Sequence, residues 1–517
     1  MKKIVVCLLV FMGFLTFAGN KRQTLDNPVF VFNNALNQPH YPVLSLEQQA
    51  VFVKKMGFDG MECKETVGLL ETVDLFKKQG LKIYANYVKI DLDAENSYLP
   101  SWKEVLPKLN GTGMILWLHI HSVKYKPSDE AADPKIVAIV RELADLAKPY
   151  GVRIAIYHHV AFVVEKAEDS FRIAQKAERE NVGSVFNLCH FLKTDSEENL
   201  RKVIDLTFPK LFAVSIAGAN SGDTKAMNWD KLIQPVGEGS FDTYRLLELL
   251  KEKGYDGPVG IQCYAIKEMP QEHLPKSMKA IAGFRERHKI PNNELTKEEK
   301  NQSWQLLFDG RTTKNWRGIN LKTFPSTGWR IQNGDLIADV EGGAESGNGG
   351  DVITQKRYGK FILKWEWQML SKGGNSGVKY FVQEGIGDNK GYGFGLEYQL
   401  LDDKYHAWML SGKMKPNDYH TLGSLYELYP ASTEKQASPL GLWNESKIVC
   451  QGNQVEHWLN GRKILQYDRS SPDFKARIAS SKFKDTPGYG VLPEGHILLQ
   501  DHGSVIHYRN IKIREFK

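Results

Sequence analysis

The first half of the chain alternates short apolar runs with longer amphipathic stretches. Eight apolar runs read as strands, at residues 29–35, 60–63, 82–88, 114–119, 153–158, 184–188, 212–217 and 259–263. Helical spacing fills the intervals, most clearly at residues 46–56, 133–150, 170–180 and 241–253, and Gly57, Gly80, Gly151 and Gly254 stand where these stretches stop. Eight strand–helix repeats predict a (β/α)₈ barrel over residues 25–290, with any site at the C-terminal ends of its strands.

In the second half of the chain, apolar and polar residues alternate with a period of two. Residues 361–369 place apolar side chains at odd positions and Lys364, Glu366 and Gln368 between them, which is typical of a half-buried strand. A glycine-rich turn at 373–377 leads into a second such run at 378–383. Many short strands with such turns predict an all-β jelly-roll sandwich over residues 303–517, and the polar segment 291–302 reads as a linker between the domains.

The N-terminus has the pattern of an export signal. Lys2 and Lys3 precede an apolar run at 4–17 that ends in a small-x-small pattern at Ala18, so residues 1–18 are predicted to be a cleaved signal peptide and the mature chain periplasmic. Cys7 lies inside the run without a lipobox and is not expected to carry a lipid. Each later apolar run is too short to span a bilayer.

The length and the net charge of the chain limit the classes of protein to which it can belong. A chain of 517 residues exceeds what one core usually supports, and its net charge of +7 is spread without long basic runs, which argues against nucleic-acid binding. The remaining cysteines lack metal-binding spacing, and we expect free buried thiols at Cys63, Cys189, Cys263 and Cys450.

Polar residues gather at the predicted strand ends of the barrel. The candidates for substrate binding are Glu62, His119, His121, His159, Asn187, His190 and Gln262, accompanied by Tyr157, His158 and Ser215. Over about 260 residues this arrangement resembles the sugar phosphate isomerase/epimerase family of xylose isomerase-like barrels. The resemblance implies a divalent metal held by a glutamate, an aspartate, a histidine and a second glutamate.

This sequence departs from that ligand set. The matching positions are Tyr157, Asn187, His190 and Gln262, so three carboxylates are absent. Hard divalent cations require anionic oxygen ligands, and amides supply neither the charge nor a base. Three alternatives stay open: a different, imidazole-rich metal site, a site that binds neutral sugar by hydrogen bonds, and a relic pocket.

The second domain carries several separated motifs that together are specific. They are Leu307-Phe308-Asp309-Gly310 with Trp316, the turn Gly374-Asn375-Ser376-Gly377, Glu397-Tyr398-Gln399, Trp443-Asn444, His457-Trp458-Leu459-Asn460-Gly461, and Gln500-Asp501-His502-Gly503 with Arg509-Asn510. From Trp304 onwards they resemble the 3-keto-disaccharide hydrolase family, which has a concanavalin-like jelly-roll fold. The candidate catalytic residues are Glu397, Gln399, Asp402, His457, Gln500, His502 and Arg509, with Asn375, Trp443 and Asn460 as candidates for substrate binding.

Strand parity refines this set. Glu397 and Gln399 share one face of a strand, and Gln500 shares a face with His502. Arg509 is in phase with Ile511 and Ile513 and is therefore predicted to point inward, either towards a ligand or Glu397 or Asp501 in a cleft, or into a structural ion pair. His457 is in phase with Val455 and Leu459, so a core histidine and a catalytic one are both open.

The resemblance implies a substrate that carries a ketone at C3 of a glycosyl unit, and hence a glycoside 3-dehydrogenase acting upstream. A C3 carbonyl acidifies the C2 hydrogen, so one base, one group that stabilises the oxyanion and one proton donor can expel the group at C1. We expect Glu397 or a histidine as base, Arg509 or a metal at the oxyanion, and His502 or His457 as donor. Glu397, Asp402, His457 and His502 are suitable ligands for a divalent metal, although spacing does not show that they converge.

Three functions follow. The first is an exported enzyme that cleaves 3-keto-glycosides in its second domain, by hydrolysis or by elimination and hydration, with a degenerate sugar-binding or isomerase-like barrel. The second is a sugar isomerase or epimerase barrel that carries a carbohydrate-binding module. The third is a non-catalytic glycan-binding protein, since jelly rolls commonly serve as lectins.

Overall fold

A computed structural model describes residues 24–339, 345–386 and 392–516. The predicted signal peptide, residues 1–18, lies outside these residues. Within them, no helix is both long and apolar enough to cross a membrane.

Eight parallel strands close into a barrel in sequence order, with β1 pairing with both β2 and β8. The strands are β1 Val29–Val31, β2 Gly60–Lys64, β3 Lys82–Asp91, β4 Ile115–His121, β5 Arg153–Tyr157, β6 Val182–Asn187, β7 Leu211–Ile216 and β8 Val259–Ile261. The predicted barrel is thereby confirmed, and each predicted apolar run overlaps one of its strands.

Helices surround the barrel. They are α1 Leu46–Lys55, α2 Leu69–Lys78, α3 Trp102–Val105, α4 Asp133–Ala147, α5 Ala167–Ala177, α6 Leu188–Thr194, α7 Leu200–Thr207, α8 Trp229–Leu232, α9 Thr243–Glu252 and α10 Pro270–Lys289. Ser45 begins α1 with a reciprocal capping box, since its hydroxyl accepts from the Gln48 backbone N–H while the Gln48 side chain accepts from the Ser45 backbone N–H. A short helix, α11 Lys297–Asn301, lies within the predicted linker.

The second domain packs two antiparallel sheets face to face. Its strands are β9 Gln305–Leu306, β10 Trp316–Gly318, β11 Trp329–Gln332, β12 Asp335–Ala338, β13 Val352–Thr354, β14 Phe361–Met369, β15 Asn375–Gln383, β16 Phe394–Leu401, β17 Asn444–Gln451, β18 Gln454–Leu459, β19 Arg462–Asp468, β20 His496–Leu499 and β21 Ile506–Glu515. One sheet has the order β10-β13-β20-β15-β16 and the other β11-β12-β21-β14-β17-β18-β19. Two short helices, α12 Ala407–Leu410 and α13 Pro472–Ser480, interrupt the strands. This architecture confirms the predicted sandwich.

The two domains meet through a buried cluster of charges. The Arg509 guanidinium, on β21, lies 2.6 Å from Glu248 on α9 and 2.7 Å from Glu366 on β14. Arg245, also on α9, lies 2.7 Å from Glu248 and 3.3 Å from Glu366. Two arginines therefore share two glutamates across the boundary between the barrel and the larger sheet.

Candidate functional site

Neighbouring strands of the smaller sheet bring the predicted polar residues together. β15 lies between β20 and β16, and the register places Lys379 directly beside Glu397 and Gly377 beside Gln399. Gln500 and His502 follow the end of β20. These side chains line one face of the sheet around a cavity of about 110 Å³.

The Lys379 ammonium lies among the carboxylates of this cleft. Its ammonium lies 3.3 Å from Glu345, 3.9 Å from Asp351 and 4.0 Å from Glu397, and it donates to the Gly393 carbonyl at 3.1 Å. Burial lowers the pKa of Lys379, but the charges of Glu397, Asp351 and Glu345 outweigh burial, so its pKa is raised overall. The lysine therefore remains a cation inside the cleft.

Glu397 is a buried carboxyl beside that cation. Burial raises the pKa of Glu397 to about 7, and Lys379 limits the rise. The carboxyl group lies over Gly377, and a Cβ at that position would stand 2.1 Å from the Glu397 Oε1 atom, so any larger residue there must displace the carboxyl. Glu397 thus has the pKa of a general base that works near neutrality.

A chain of hydrogen bonds orders the amides and the histidine around Glu397. The Gln399 amide donates to the Asn375 side-chain oxygen at 2.7 Å, and the Asn375 amide lies 3.3 Å from His502 Nε2. On the other side, the Gln500 amide donates to Glu345 at 2.8 Å. Asn375 therefore orients the His502 ring at the edge of the cleft.

Two buried aspartates fix the loop that carries Glu345. Asp501 accepts from the backbone N–H groups of Asn348, Gly349 and Gly350 at 3.2, 2.9 and 3.2 Å. Asp351 accepts from the Asp501 backbone N–H at 3.0 Å, and burial raises the pKa of Asp351 to about 7. The aspartate of the Gln500-Asp501-His502 motif therefore positions the loop rather than facing the cleft.

Five predicted site residues in the second domain lie away from this cleft, and three of them contact only the second domain itself. His457 is fully buried between the sheets, where its ring bonds the Tyr380 hydroxyl at 2.8 Å and the Gly423 carbonyl at 2.9 Å, and burial lowers its pKa to about 4. Asp402 accepts from the Gly373 backbone N–H at 2.8 Å and so closes a turn. Asn460 is a hairpin residue with a positive φ of 47° whose side chain accepts from the Glu445 N–H.

Arg509 and Trp443 belong to the domain boundary. The Arg509 guanidinium stacks on the Trp443 ring at 3.8 Å, and the Trp443 indole donates to Glu252 of α9 at 3.2 Å. The prediction that Arg509 points inward with Ile511 and Ile513 is corrected by a bulge. Asn510 has a positive φ of 53° and the pairing of β14 with β21 shifts by one residue there, so Arg509 faces the barrel while both isoleucines face the core of the sandwich. Of the two alternatives that the sequence left open for Arg509, the structure has the buried ion pair, with Glu248 and Glu366.

The barrel mouth gathers its predicted residues in two groups. Near β1, Glu62 accepts from the Asn33 backbone N–H at 2.7 Å and Gln262 accepts from the Asn34 amide at 2.6 Å. Burial raises the pKa of Glu62 to about 7. On the far side, His119 and His121 lie 2.6 Å apart through ring nitrogens, and the His159 ring packs 3.9 Å from that of His190.

These residues do not fit the divalent metal that such barrels imply. The Gln262 side-chain oxygen already accepts from the Cys263 and Tyr264 backbone N–H groups, and the Asn187 oxygen accepts from the Cys189 N–H. In the part of the chain that the structure describes, no group of three or more His, Cys, Asp or Glu side chains is placed to hold a metal ion. Burial lowers the pKa of His119 to about 2 and that of His159 to about 4, so both rings are neutral and can accept as well as donate hydrogen bonds.

Sequence reasoning missed Lys379 and Glu345. Lys379 did carry a signal, because a lysine within an otherwise apolar strand is almost never buried without a charged partner. Glu345 carried none, since it lies in a glycine-rich loop whose position depends on Asp501, more than 150 residues away. The four thiols at Cys63, Cys189, Cys263 and Cys450 are free and buried, as predicted.

Comparisons with known proteins match the two domains separately. The family described as the 3-keto-alpha-glucoside-1,2-lyase-like domain matches residues 303–514, and the xylose isomerase-like TIM barrel family matches residues 51–284. A 3-keto-disaccharide hydrolase from Bacteroides thetaiotaomicron is 32% identical over 228 residues, which are 40% of this chain and 77% of that protein.

The relatives that match the first domain have lower sequence identity to this chain. An inosose isomerase from Halalkalibacterium halodurans is 27% identical over 130 residues, which are 25% of this chain and 45% of that protein. The chain thus spans less than half the length of this relative. The structure of a 3-keto-D-glucoside 4-epimerase from E. coli is 16% identical, with a TM-score of 0.41, and covers 50% of this chain and 99% of its own.

Proposed function

Because the chain belongs to the 3-keto-disaccharide hydrolase family through its second domain, we propose that it is an exported enzyme that cleaves 3-keto-glycosides in the cleft around Glu397. One observation carries the proposal: a buried carboxyl with a pKa of about 7 lies 4.0 Å from a buried ammonium. A base next to a fixed positive charge is the pair required to form and hold an enolate.

The first step is removal of the C2 proton. The ketone at C3 acidifies this hydrogen, and the Glu397 carboxylate accepts it while the electron pair moves towards the C3 oxygen. Lys379 stabilises the negative charge that develops there, because its ammonium is fixed in a buried, polar cleft before the reaction begins. This role replaces the one expected for Arg509, which faces the barrel.

The second step breaks the bond between C1 and the leaving-group oxygen. The enolate pair forms the C1–C2 double bond, and His502 donates a proton to the departing oxygen, which leaves as an alcohol. His502 suits this role because Asn375 orients its ring at the edge of the cleft. His457 does not, because it is sealed between the sheets.

Addition of water across the C1–C2 double bond completes a net hydrolysis, with one hydroxyl at C1 and one hydrogen at C2. The overall reaction consumes water and requires no oxidant, since the ketone is already present in the substrate. A glycoside 3-dehydrogenase acting upstream would supply that ketone.

The test uses the full chain and two matched variants. Each domain holds a buried glutamate whose pKa is raised to about 7, Glu397 in the cleft and Glu62 in the barrel. Wild-type protein, Glu397→Gln and Glu62→Gln are incubated with a 3-keto-glucoside in deuterated water, with and without a chelator. We expect release of the alcohol and deuterium at C2 in the wild type and in Glu62→Gln, and loss of both in Glu397→Gln.

Other outcomes separate the alternatives. Loss in Glu62→Gln alone would assign the chemistry to the barrel and leave the sandwich as a binding module. No release by any of the three proteins would favour a glycan-binding protein. Free product incubated in the same solvent without protein controls for spontaneous exchange at C2.

A further inference from the structure

Lys379 has one N–H group left for the substrate. An ammonium carries three, and that of Lys379 donates one to Glu345 at 3.3 Å and one to the Gly393 carbonyl at 3.1 Å. The Asp351 and Glu397 carboxylates, at 3.9 and 4.0 Å, lie beyond hydrogen-bond range. A ketone oxygen accepts two hydrogen bonds, and it accepts them more strongly as negative charge builds up on it. The C3 oxygen of the substrate therefore has an open position for a second donor.

Tyr426 presents a free hydroxyl hydrogen at this cleft. Its side chain lines the same cavity, and its backbone N–H donates to the Glu397 carbonyl at 3.1 Å. Lys482 donates to the Tyr426 hydroxyl oxygen at 2.9 Å, and within the described residues no acceptor takes the hydrogen of that hydroxyl. Burial raises the pKa of Tyr426, and the nearby Glu397 charge adds to the rise. The hydroxyl therefore keeps its proton near neutrality and remains a donor.

Lys482 makes this hydroxyl a stronger donor. A cation bonded to the oxygen draws electron density from the O–H group, and hydrogen bonds that form a chain strengthen one another. Lys482 lies 3.6 Å from Glu427, which His420 contacts in turn at 3.1 Å. Burial raises the pKa of Glu397, and Lys482 is among the charges that lower it, so the ammonium acts within range of the proposed base. The tyrosine, the lysine and the base therefore meet at one wall of the cleft.

The amides along the cleft are less suited to this position. The Gln399 amide donates to Asn375 at 2.7 Å, and the Gln500 amide donates to Glu345 at 2.8 Å. Both are neutral groups, and in the part of the chain that the structure describes neither is bonded by a charged donor. Tyr426 is therefore the better match to a developing negative charge.

We propose that Tyr426, polarised by Lys482, donates a hydrogen bond to the C3 oxygen of the substrate and forms with Lys379 the pair of donors that holds the enolate. Tyr426 keeps its proton throughout, so no bond to it forms or breaks, and Lys482 is a positioning residue. The inference rests on the proposed function, because it assigns a role in the same reaction. His502 stays the proton donor to the leaving group.

The first test measures turnover of a 3-keto-glucoside by the full chain on the high-pH plateau, where Glu397 is deprotonated. We expect Tyr426→Phe to lower kcat roughly 10²-fold and to leave KM near its wild-type value, because the lost donor acts mainly on the transition state. Lys482→Met should lower kcat less, Lys482→Arg should restore most of it, and the double variant Tyr426→Phe/Lys482→Met should be no slower than Tyr426→Phe. Tyr429→Phe is the matched control, because its hydroxyl donates to the exposed Asp473 at 2.6 Å outside the cleft.

A second measurement reports the hydrogen bond itself. A 3-keto-glucoside labelled with ¹³C at C3 is bound to Glu397→Gln, which lacks the base and therefore does not turn the substrate over. A hydrogen bond to a carbonyl oxygen moves the carbon signal downfield, so we expect a downfield shift on binding. This shift should shrink in Glu397→Gln/Tyr426→Phe and persist in Glu397→Gln/Tyr429→Phe.

The outcomes separate this role from the proposed function. With an active wild type, an unchanged kcat or an unchanged carbonyl shift in the Tyr426→Phe variants would overturn the role of Tyr426 and leave the proposed function standing. A double variant slower than Tyr426→Phe would overturn the positioning role of Lys482. A wild type that releases no alcohol, with a carbonyl shift that depends on Tyr426, would overturn the proposed function and retain Tyr426 as a donor to a bound ketone. No carbonyl shift on binding would overturn the donor.

Discussion

Glu397 gains its chemistry from two opposing influences at one residue. Burial raises its pKa to about 7, and Lys379 at 4.0 Å keeps the rise from going further. A base must be deprotonated to act, so we expect kcat/KM for a 3-keto-glycoside to fall tenfold per pH unit below about pH 7 and to level off above it. A pH–rate profile of the full chain measures this, and a flat profile between pH 5 and 8 would contradict a base with this pKa.

Lys379 provides a second prediction at the same scale. Lys379→Met removes the cation that lowers the pKa of Glu397, so the acid limb of the profile should move to higher pH, while Lys379→Arg should keep it near the wild-type position. The same change leaves Glu345, Asp351 and Glu397 without their shared counter-charge, and we expect a loss of about 3–5 kcal/mol in the free energy of unfolding. Urea denaturation measures the second effect, and an acid limb at unchanged pH in a folded Lys379→Met would exclude the coupling.

Strand pairing explains why one glycine matters for the chemistry. Gly377 on β15 faces Gln399 across the strand pair, and a Cβ there would stand 2.1 Å from the Glu397 carboxyl. We expect Gly377→Ala to displace that carboxyl and reduce kcat by roughly 10²-fold or more, because a misplaced catalytic group costs about that much. Gly283 on α10 is the control, since a Cβ there meets nothing within 4 Å and Gly283→Ala should preserve activity. Full activity in Gly377→Ala would show that the carboxyl position is not critical.

Elements with a strong local pattern could be predicted from the sequence, and those set by irregularities could not. The apolar runs and glycine stops of the barrel, and the alternation along β14, carry their own period, so eight strands and a sandwich follow from the sequence. The face of Arg509 did not follow, because one extra residue at Asn510 inverts the parity of β21. An asparagine before an isoleucine gives no sign of such a bulge.

At the scale of the whole molecule, the site forms where side chains from distant parts of the chain come together. No local sequence pattern indicates that they meet. Glu397 and Gln500 could be selected because each lies in a recognisable motif on a strand of clear parity. Lys379 and Glu345 complete the charge cluster from a third strand and a loop, and their meeting depends on the strand order of the smaller sheet. Likewise, Arg509 pairs with Glu366 of the sandwich, but its partners Glu248 and Glu252 come from α9 of the other domain, which a search within the sandwich cannot reveal.

The cluster at the domain boundary leads to the last prediction. Arg509 is 3% exposed and pairs with Glu248 and Glu366, so its removal leaves these two buried carboxylates to share the single charge of Arg245. We expect Arg509→Met to lower the free energy of unfolding by about 3–5 kcal/mol and to separate the unfolding of the two domains into distinct calorimetric transitions. Arg514→Met is the control, because Arg514 lies on the same strand but is only half-buried and donates to the neutral Gln302 side chain at 3.3 Å.

The cleft at Glu397 lies on the other sheet, so a folded Arg509→Met should retain its kcat for a 3-keto-glycoside. A single transition at the wild-type temperature would show that the charge cluster does not couple the domains, whereas loss of kcat in the folded variant would return Arg509 to the chemistry.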